Sequence, residues 1–469
     1  MSFARILRSS ALMGGAQVIV LAAGFARTKL IALVLGASGV GLAGLFNSFS
    51  GNIASFAGWG LGTSGVRLVA GASRDEQLRK AAAVRRMGWA LSLIGLALAA
   101  LLFWPVAWWT FASHDYVAEM AIVSLAVPCL ISAGTWTALL QANGKTGSLA
   151  KVQISGALIG MSCGLPAVYF YGTIGVAVSV FLAAAVPAAL LWRSARTHCL
   201  HTPDVITDTK DLRTLVQLGG ALMLVGWMSQ LSTYLVRLSI IRTEGLDAAG
   251  YYHAAFAISG SLPGFVFAAM GADFFPRVAA ADDEEQALKH TESQILIGVV
   301  LATPLVGVLL LFGGDMVALL FAESFFPANK PLAWLTWGIF VRLIAWPLGY
   351  WMIARSSSAV LVGIECGSAL TLVLLQAYLT GAAGLAGAGA GFLLGYLLYT
   401  GVLLVVARKR AGRWLCRKCA LFLLATTFLL LACQFASGSS SGVVVRVGLV
   451  ALLASWSAAS YLVMKNHED

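Results

Sequence analysis

Charge is scarce in this chain. Only 11% of its 469 residues are charged, against about 25% in soluble domains. Acidic residues are scarcer still, 20 against 31 Lys and Arg. Polar stretches long enough to build a soluble catalytic domain are lacking. So are a Gly-rich phosphate loop, a nucleophile elbow and a His-Glu-x-x-His helix, which argues against an ATP-driven pump and an integral hydrolase. The seven cysteines are scattered, and Cys416 and Cys419 form one C-x-x-C with no second pair or His cluster beside it. That pattern lacks the ligand count of a zinc site, so no metal is expected. The basic residues sit in short loops between apolar runs and form no soluble basic face. Nucleic acid is therefore not an expected partner.

What remains is apolar: 59% of the chain. A membrane helix needs about 20 apolar residues. Runs of that kind occur at about 11–35, 40–71, 87–111, 118–142, 152–171, 173–193, 214–241, 248–275, 293–313, 331–354, 358–380, 383–407, 418–436 and 442–464. The N-terminal run, preceded by Arg5 and Arg8, is interrupted by Arg27 and Lys29 and has no short-core cleavage pattern. It reads as a first span and not as a signal peptide. With the N-terminus inside, cytoplasmic segments hold 23 Lys and Arg and external segments only Arg242, Lys330 and Arg446. This asymmetry is the positive-inside rule at work and predicts cytoplasmic termini. In the first cytoplasmic loop, Ser73-Arg74-Asp75-Glu76 has capping-box spacing, so a basic helix is expected from Gln77 into the third span.

A weak internal repeat appears on a shift of 206 residues, which superposes Gly39 on Gly245, Ala43 on Ala249 and Gly44 on Gly250. Six spans separate the copies, so both have the same orientation, a plan found in transporters. The expected fold is an all-α polytopic membrane protein of about fourteen transmembrane helices. It comprises two parallel six-helix lobes, 1–212 and 213–410, and an additional helix pair, 411–469.

Five cations fall inside the predicted spans: Arg27, Lys29, Arg67, Arg237 and Arg342. Each costs about 2.5–3.5 kcal/mol on insertion scales unless it snorkels, pairs or lines a wet cavity. Lys29 is close enough to the end of its span to snorkel, and Arg67 lies near the headgroups. Arg27 lies deeper and points elsewhere around the helix, and Arg342 is the deepest of the five. Arg237 shares a helix face with Gln230 and Tyr234. Asn47, Gly51, Ser55 and Gly58 form a stripe that serves either helix packing or a cavity wall. Asp273 and Glu365 are the acidic residues best placed for coupling to H+ or Na+; otherwise no cofactor is expected. More basic than acidic groups inside the bilayer point to an anionic cargo, and the planar guanidinium fork suits phosphate.

The segment Thr28-Lys29-Leu30-Ile31-Ala32-Leu33-Val34-Leu35-Gly36-Ala37-Ser38-Gly39-Val40-Gly41-Leu42 resembles the opening of polysaccharide-biosynthesis flippases, as does Gly65-Val66-Arg67-Leu68-Val69-Ala70 before a charged loop. Both resemble the O-antigen translocase (Wzx) branch of the multidrug/oligosaccharidyl-lipid/polysaccharide exporter superfamily. The resemblance implies a flippase, not an enzyme. Its cargo would be an undecaprenyl-diphosphate-linked glycan, moved to the periplasmic leaflet by alternating access. Arg27, Arg237 and Arg342 would line the cationic cavity, with Lys29 at its rim and Asn47 nearby. Membrane lipids, a polysaccharide polymerase and chain-length proteins would be its partners. The extra helix pair resembles that of fourteen-span members, including lipid II flippases. A multidrug exporter of the same superfamily, a membrane polymerase or ligase, and a non-transporting scaffold stay open as alternatives.

Overall fold

The computed structural model describes residues 3–70, 73–111, 114–199, 209–355, 358–438 and 443–465. Among them every regular element is helical. The helices are α1 (Phe3–Ala57), α2 (Leu61–Val69), α3 (Arg74–Phe111), α4 (Val117–Ser124), α5 (Ala126–Ala142), α6 (Thr146–Cys199) and α7 (Thr209–Glu244). After these come α8 (Leu246–Ala279), α9 (Glu284–Leu320), a 3-10 turn (Glu323–Ala328), α10 (Asn329–Arg355), α11 (Ser358–Ala411), α12 (Arg417–Gly438) and α13 (Val443–Lys465). Eight helical stretches among the described residues are long and apolar enough to cross a membrane.

Three of these helices are too long for one crossing, and each is broken by a glycine. Gly36 (φ 68°, ψ −156°) breaks α1, Gly172 (φ 57°, ψ −124°) breaks α6 and Gly384 (φ 60°, ψ −144°) breaks α11. Residues with a Cβ are sterically excluded from this region, so glycine is what lets the chain reverse here. The packing shows the reversal. Gly156, Gly160 and Gly164 lie against Pro187, Ala183 and Ser179, the register of an antiparallel hairpin centred near Gly172. Gly387, Gly391 and Gly395 lie likewise against Leu379, Gln376 and Leu372 about Gly384. Small residues four apart allow the backbones to approach closely, which is how apolar helices associate in lipid. Divided at these hinges, and with α1–α2 and α4–α5 each counted as one broken crossing, the chain follows the fourteen apolar runs.

The chain forms two compact units, 1–250 and 251–469. In the first, α7 packs against α1, α2 and α3, although the repeat places it at the head of the second lobe. The N-terminus of α3 has the expected cap: the Ser73 amide donates to the Glu76 carboxylate at 3.4 Å, and Glu76 pairs with Lys80. A buried cluster including Leu61, Val84, Trp136, Leu149 and Leu215 joins α2, α3, α5, α6 and α7.

In the second unit, α12 and α13 dock on α9, where Gly307 makes room for Leu453. The polar end of this arrangement is clamped. Glu292 of α9, 5% exposed, accepts Arg413 Nη1 at 2.7 Å, Nη2 at 3.1 Å and the Cys416 amide at 2.6 Å. These bonds hold the Arg413 guanidinium above its ordinary pKa, so it stays charged at any physiological pH. Arg410 donates to the Arg355 carbonyl, and Arg355 to the carbonyls of Ala281 and Asp283. Glu292→Ala orphans a guanidinium and an amide. It is expected to cost about 2 kcal/mol, less than a fully buried pair because Arg413 is partly solvated. A lowered melting temperature of the purified protein would show it, and an unchanged one would exclude a stabilising clamp.

Candidate functional site

Each intramembrane cation has a different environment. Arg27 lies on α1 nine residues before the Gly36 hinge, about 13 Å along the helix. It is half-buried, and its Nε is fully buried with no hydrogen-bond partner among the described residues. A buried donor of a charged group left unsatisfied costs about 1–3 kcal/mol or more, which an anionic ligand would offset. Lys29, also half-buried, lies half a turn further on. Arg67 is exposed in the last turn of α2, as a headgroup contact requires.

Arg237, 8% exposed, sits eight residues before the turn glycine Gly245. Its Nη1 reaches the Gly44 carbonyl and the Ser48 hydroxyl, tying α7 to the second half of α1. The hinge glycines also refine the internal repeat. Gly36 corresponds to Gly245, and Gly172 to Gly384, shifts of 209 and 212 residues instead of 206. In that register Arg27 and Arg237 coincide to within a residue.

Asn47 is exposed and donates to its own helix, to the Ala43 carbonyl at 2.7 Å. Two members of its predicted stripe pack against α7, Gly51 facing Gln230 and Ser55 facing Gly226, whereas Gly58 faces Ile131 of α5. At the other end of the same seam the Trp59 indole donates to the Val216 carbonyl at 3.0 Å, and Gly219 abuts the Trp59 backbone. Beside this seam, between α1, α3 and α7, lies a cavity of about 270 Å³ walled by Phe49, Phe56, Leu102, Val106, Trp227 and Tyr234. The Tyr234 hydroxyl is paired with Thr110 at 3.1 Å. One further polar side chain, Asn52, enters the wall.

In the second unit Arg342 lies at the midpoint of α10, thirteen residues from either end. It is half-buried, with its guanidinium carbon 5.6 Å from the centre of the Tyr396 ring. A cation over an aromatic face gains about 0.5–2 kcal/mol, so the ring helps hold a charge the bilayer disfavours. Glu365 is half-buried and accepts the Tyr399 hydroxyl at 2.5 Å. Tyr396 and Tyr399 are ring neighbours, 6.3 Å apart. The structure thus brings Arg342 and Glu365 to one aromatic pair, linked through tyrosines. Asp273 lies in α8, but its side chain falls outside the described residues. No group of His, Cys, Asp and Glu suited to a metal occurs among the described residues.

These tyrosines, Asn52 and Ser48 were not legible as site residues. A period of 3.6 says which residues share a face, not which neighbour the face meets.

The fold is shared with transporters of the MOP superfamily. A solved structure titled "Lipid II flippase MurJ, inward closed conformation" aligns over 97% of this chain and 98% of its own, with a TM-score of 0.73 at 13% identity. Inward- and outward-facing structures of a multidrug resistance MATE family transporter of that superfamily align with TM-scores of 0.59. They cover 84% and 87% of this chain and 94% and 95% of their own, at 16% and 15% identity. A family model described as polysaccharide biosynthesis protein matches residues 6–282, and the chain belongs to that family. A Shigella flexneri protein described as "Putative O-antigen transporter" is 24% identical over 215 residues, 45% of this chain. The match spans half the length of that relative.

Proposed function

We propose that this multi-pass membrane protein is a flippase. It carries undecaprenyl-diphosphate-linked oligosaccharide, an O-antigen or related repeat unit, from the cytoplasmic to the periplasmic leaflet by alternating access. The observation that carries the reading is Arg27, a cation two turns inside a membrane helix with a buried, unsatisfied Nε, in a polysaccharide biosynthesis family. A diphosphate supplies both the charge and the acceptors that this donor lacks. Arg237 and Arg342 are the further cations offered to an anion, with Lys29 as a rim residue. Asn47, exposed on the second half of α1, contacts the polar cargo. The protein performs no covalent chemistry. Glu365, and Asp273 with it, are the groups offered for H+ or Na+ coupling. The location is the bacterial inner membrane with cytoplasmic termini, supported by the 23-to-3 distribution of Lys and Arg. Polymerase and chain-length proteins are its partners in assembly.

The test is reconstitution of the purified full-length chain in vesicles with a labelled undecaprenyl-diphosphate oligosaccharide on one leaflet. Transfer to the other leaflet well above that of empty vesicles is the expected result. Vesicles that move a cationic drug and leave the glycolipid in place would establish the multidrug reading instead.

A further inference from the structure

The cavity between α1, α3 and α7 is lined by none of the cations proposed for the anion. Its lining is apolar and aromatic, Phe49, Phe56, Trp227 and Tyr234 supplying the rings. Asn52 alone breaks that character: it is 8% exposed, and its Nδ2 is buried with no hydrogen-bond partner among the described residues. Such a group costs free energy in an apolar wall unless something accepts its proton. Water satisfies it poorly, because a buried water needs two to four polar partners. The other polar group in the wall, the Tyr234 hydroxyl, is already paired with Thr110.

Depth narrows the occupant. Asn52 is sixteen residues from Gly36, about 24 Å of helix, and seventeen from Val69, across the break between α1 and α2. The amide therefore lies near mid-bilayer. The ester oxygens of resident phospholipids stay at the interface, some 15 Å from the midplane of a hydrocarbon core about 30 Å thick. An acceptor reaches Asn52 only on an amphiphile whose polar junction is itself carried through the membrane. One turn along α1 and α7 from the cavity, Ser48 and Arg237 form a cationic end. The site is thus graded from hydrocarbon to amide to guanidinium, matching an amphiphile with an anionic head.

We infer that this cavity holds the first isoprenoid units of the lipid carrier during transit, with Asn52 donating to the phosphoester oxygen that joins chain to diphosphate. The inference rests on the flippase reading and deepens it: the tail is gripped by the first unit next to its head, and only the remainder stays in the bilayer. Asn52 is then a positioning residue for the carrier.

Photolabelling of the full-length chain in nanodiscs tests this. One probe is undecaprenyl diphosphate with a diazirine on the isoprene unit beside the diphosphate, the other phosphatidylglycerol with a diazirine in mid-chain. The polyprenyl probe is expected to label α3 and α7 around Val106 and Trp227. Val106→Trp, which fills the space, should abolish that labelling, while Leu370→Trp on an exposed face should not. Asn52→Leu keeps the shape without the donor and should lower it about fivefold. Equal labelling by both probes, or labelling unchanged in Val106→Trp, overturns the inference. If wild-type vesicles translocate the glycolipid and the polyprenyl probe does not label this wall, the inference fails and the flippase reading stands. If neither translocation nor labelling is seen, both fail.

Discussion

Arg342→Ala is expected to abolish transport while leaving normal amounts of protein in the membrane. Arg342 stands at the centre of α10, so it cannot reach either interface, and its charge has to be met locally. The Tyr396 face meets part of it, as a weak and undirected partner. The planar fork of a guanidinium suits two phosphate oxygens. Two charge-assisted hydrogen bonds at about 1.5–3 kcal/mol each put the expected loss in transport at a hundredfold or more. Arg342→Lys keeps the charge but loses the fork and most of the ring contact, so partial transport is expected. The order wild type, lysine, alanine is what marks an anion contact, because a purely structural residue would lower protein abundance first. Quantifying surface polysaccharide against membrane protein in each strain separates the two. Normal transport by Arg342→Ala would remove the centre of the anion-binding model.

Hydropathy made the fold legible. Fourteen apolar runs reappear as helices, and three close pairs of runs meet at Gly36, Gly172 and Gly384, where the sequence already offered a residue free of steric limits. The exact repeat was not legible. Gly39 and Gly245 align by identity, yet the conformational counterpart of Gly245 is Gly36, three residues earlier. Only φ distinguishes them, and correcting the register brings Arg27 and Arg237 together. The site was half legible. Cost arguments single out buried cations without knowledge of their neighbours, which is why Arg27, Arg237 and Arg342 could be named. They could not foresee that Arg237 would hold the Gly44 carbonyl, or that Arg342 would sit on Tyr396. Asn47 and Asn52 differ by five residues and by more than a quarter turn around the helix. The first bonds its own backbone, whereas the second enters a cavity made by two helices distant in sequence.

The second large effect concerns the cell. Buried guanidiniums call for an anion, and an anion joined to a long hydrocarbon chain cannot cross the bilayer unaided, because its head would shed hydration in the hydrocarbon core. Removal of the gene should therefore stop assembly at one step. Surface polysaccharide is lost, and complete lipid-linked oligosaccharide accumulates. A polymerase defect would instead leave single repeat units on the periplasmic side, and a drug-exporter defect would change drug sensitivity with the polysaccharide intact. The decisive measurement is the leaflet on which the accumulated glycolipid resides in the deletion strain, read with a membrane-impermeant glycan probe on intact and on permeabilised spheroplasts. The glycolipid is expected to be complete and shielded until the membrane is opened. A complete glycolipid already accessible from the periplasmic side, in a strain with no second flippase, would contradict it.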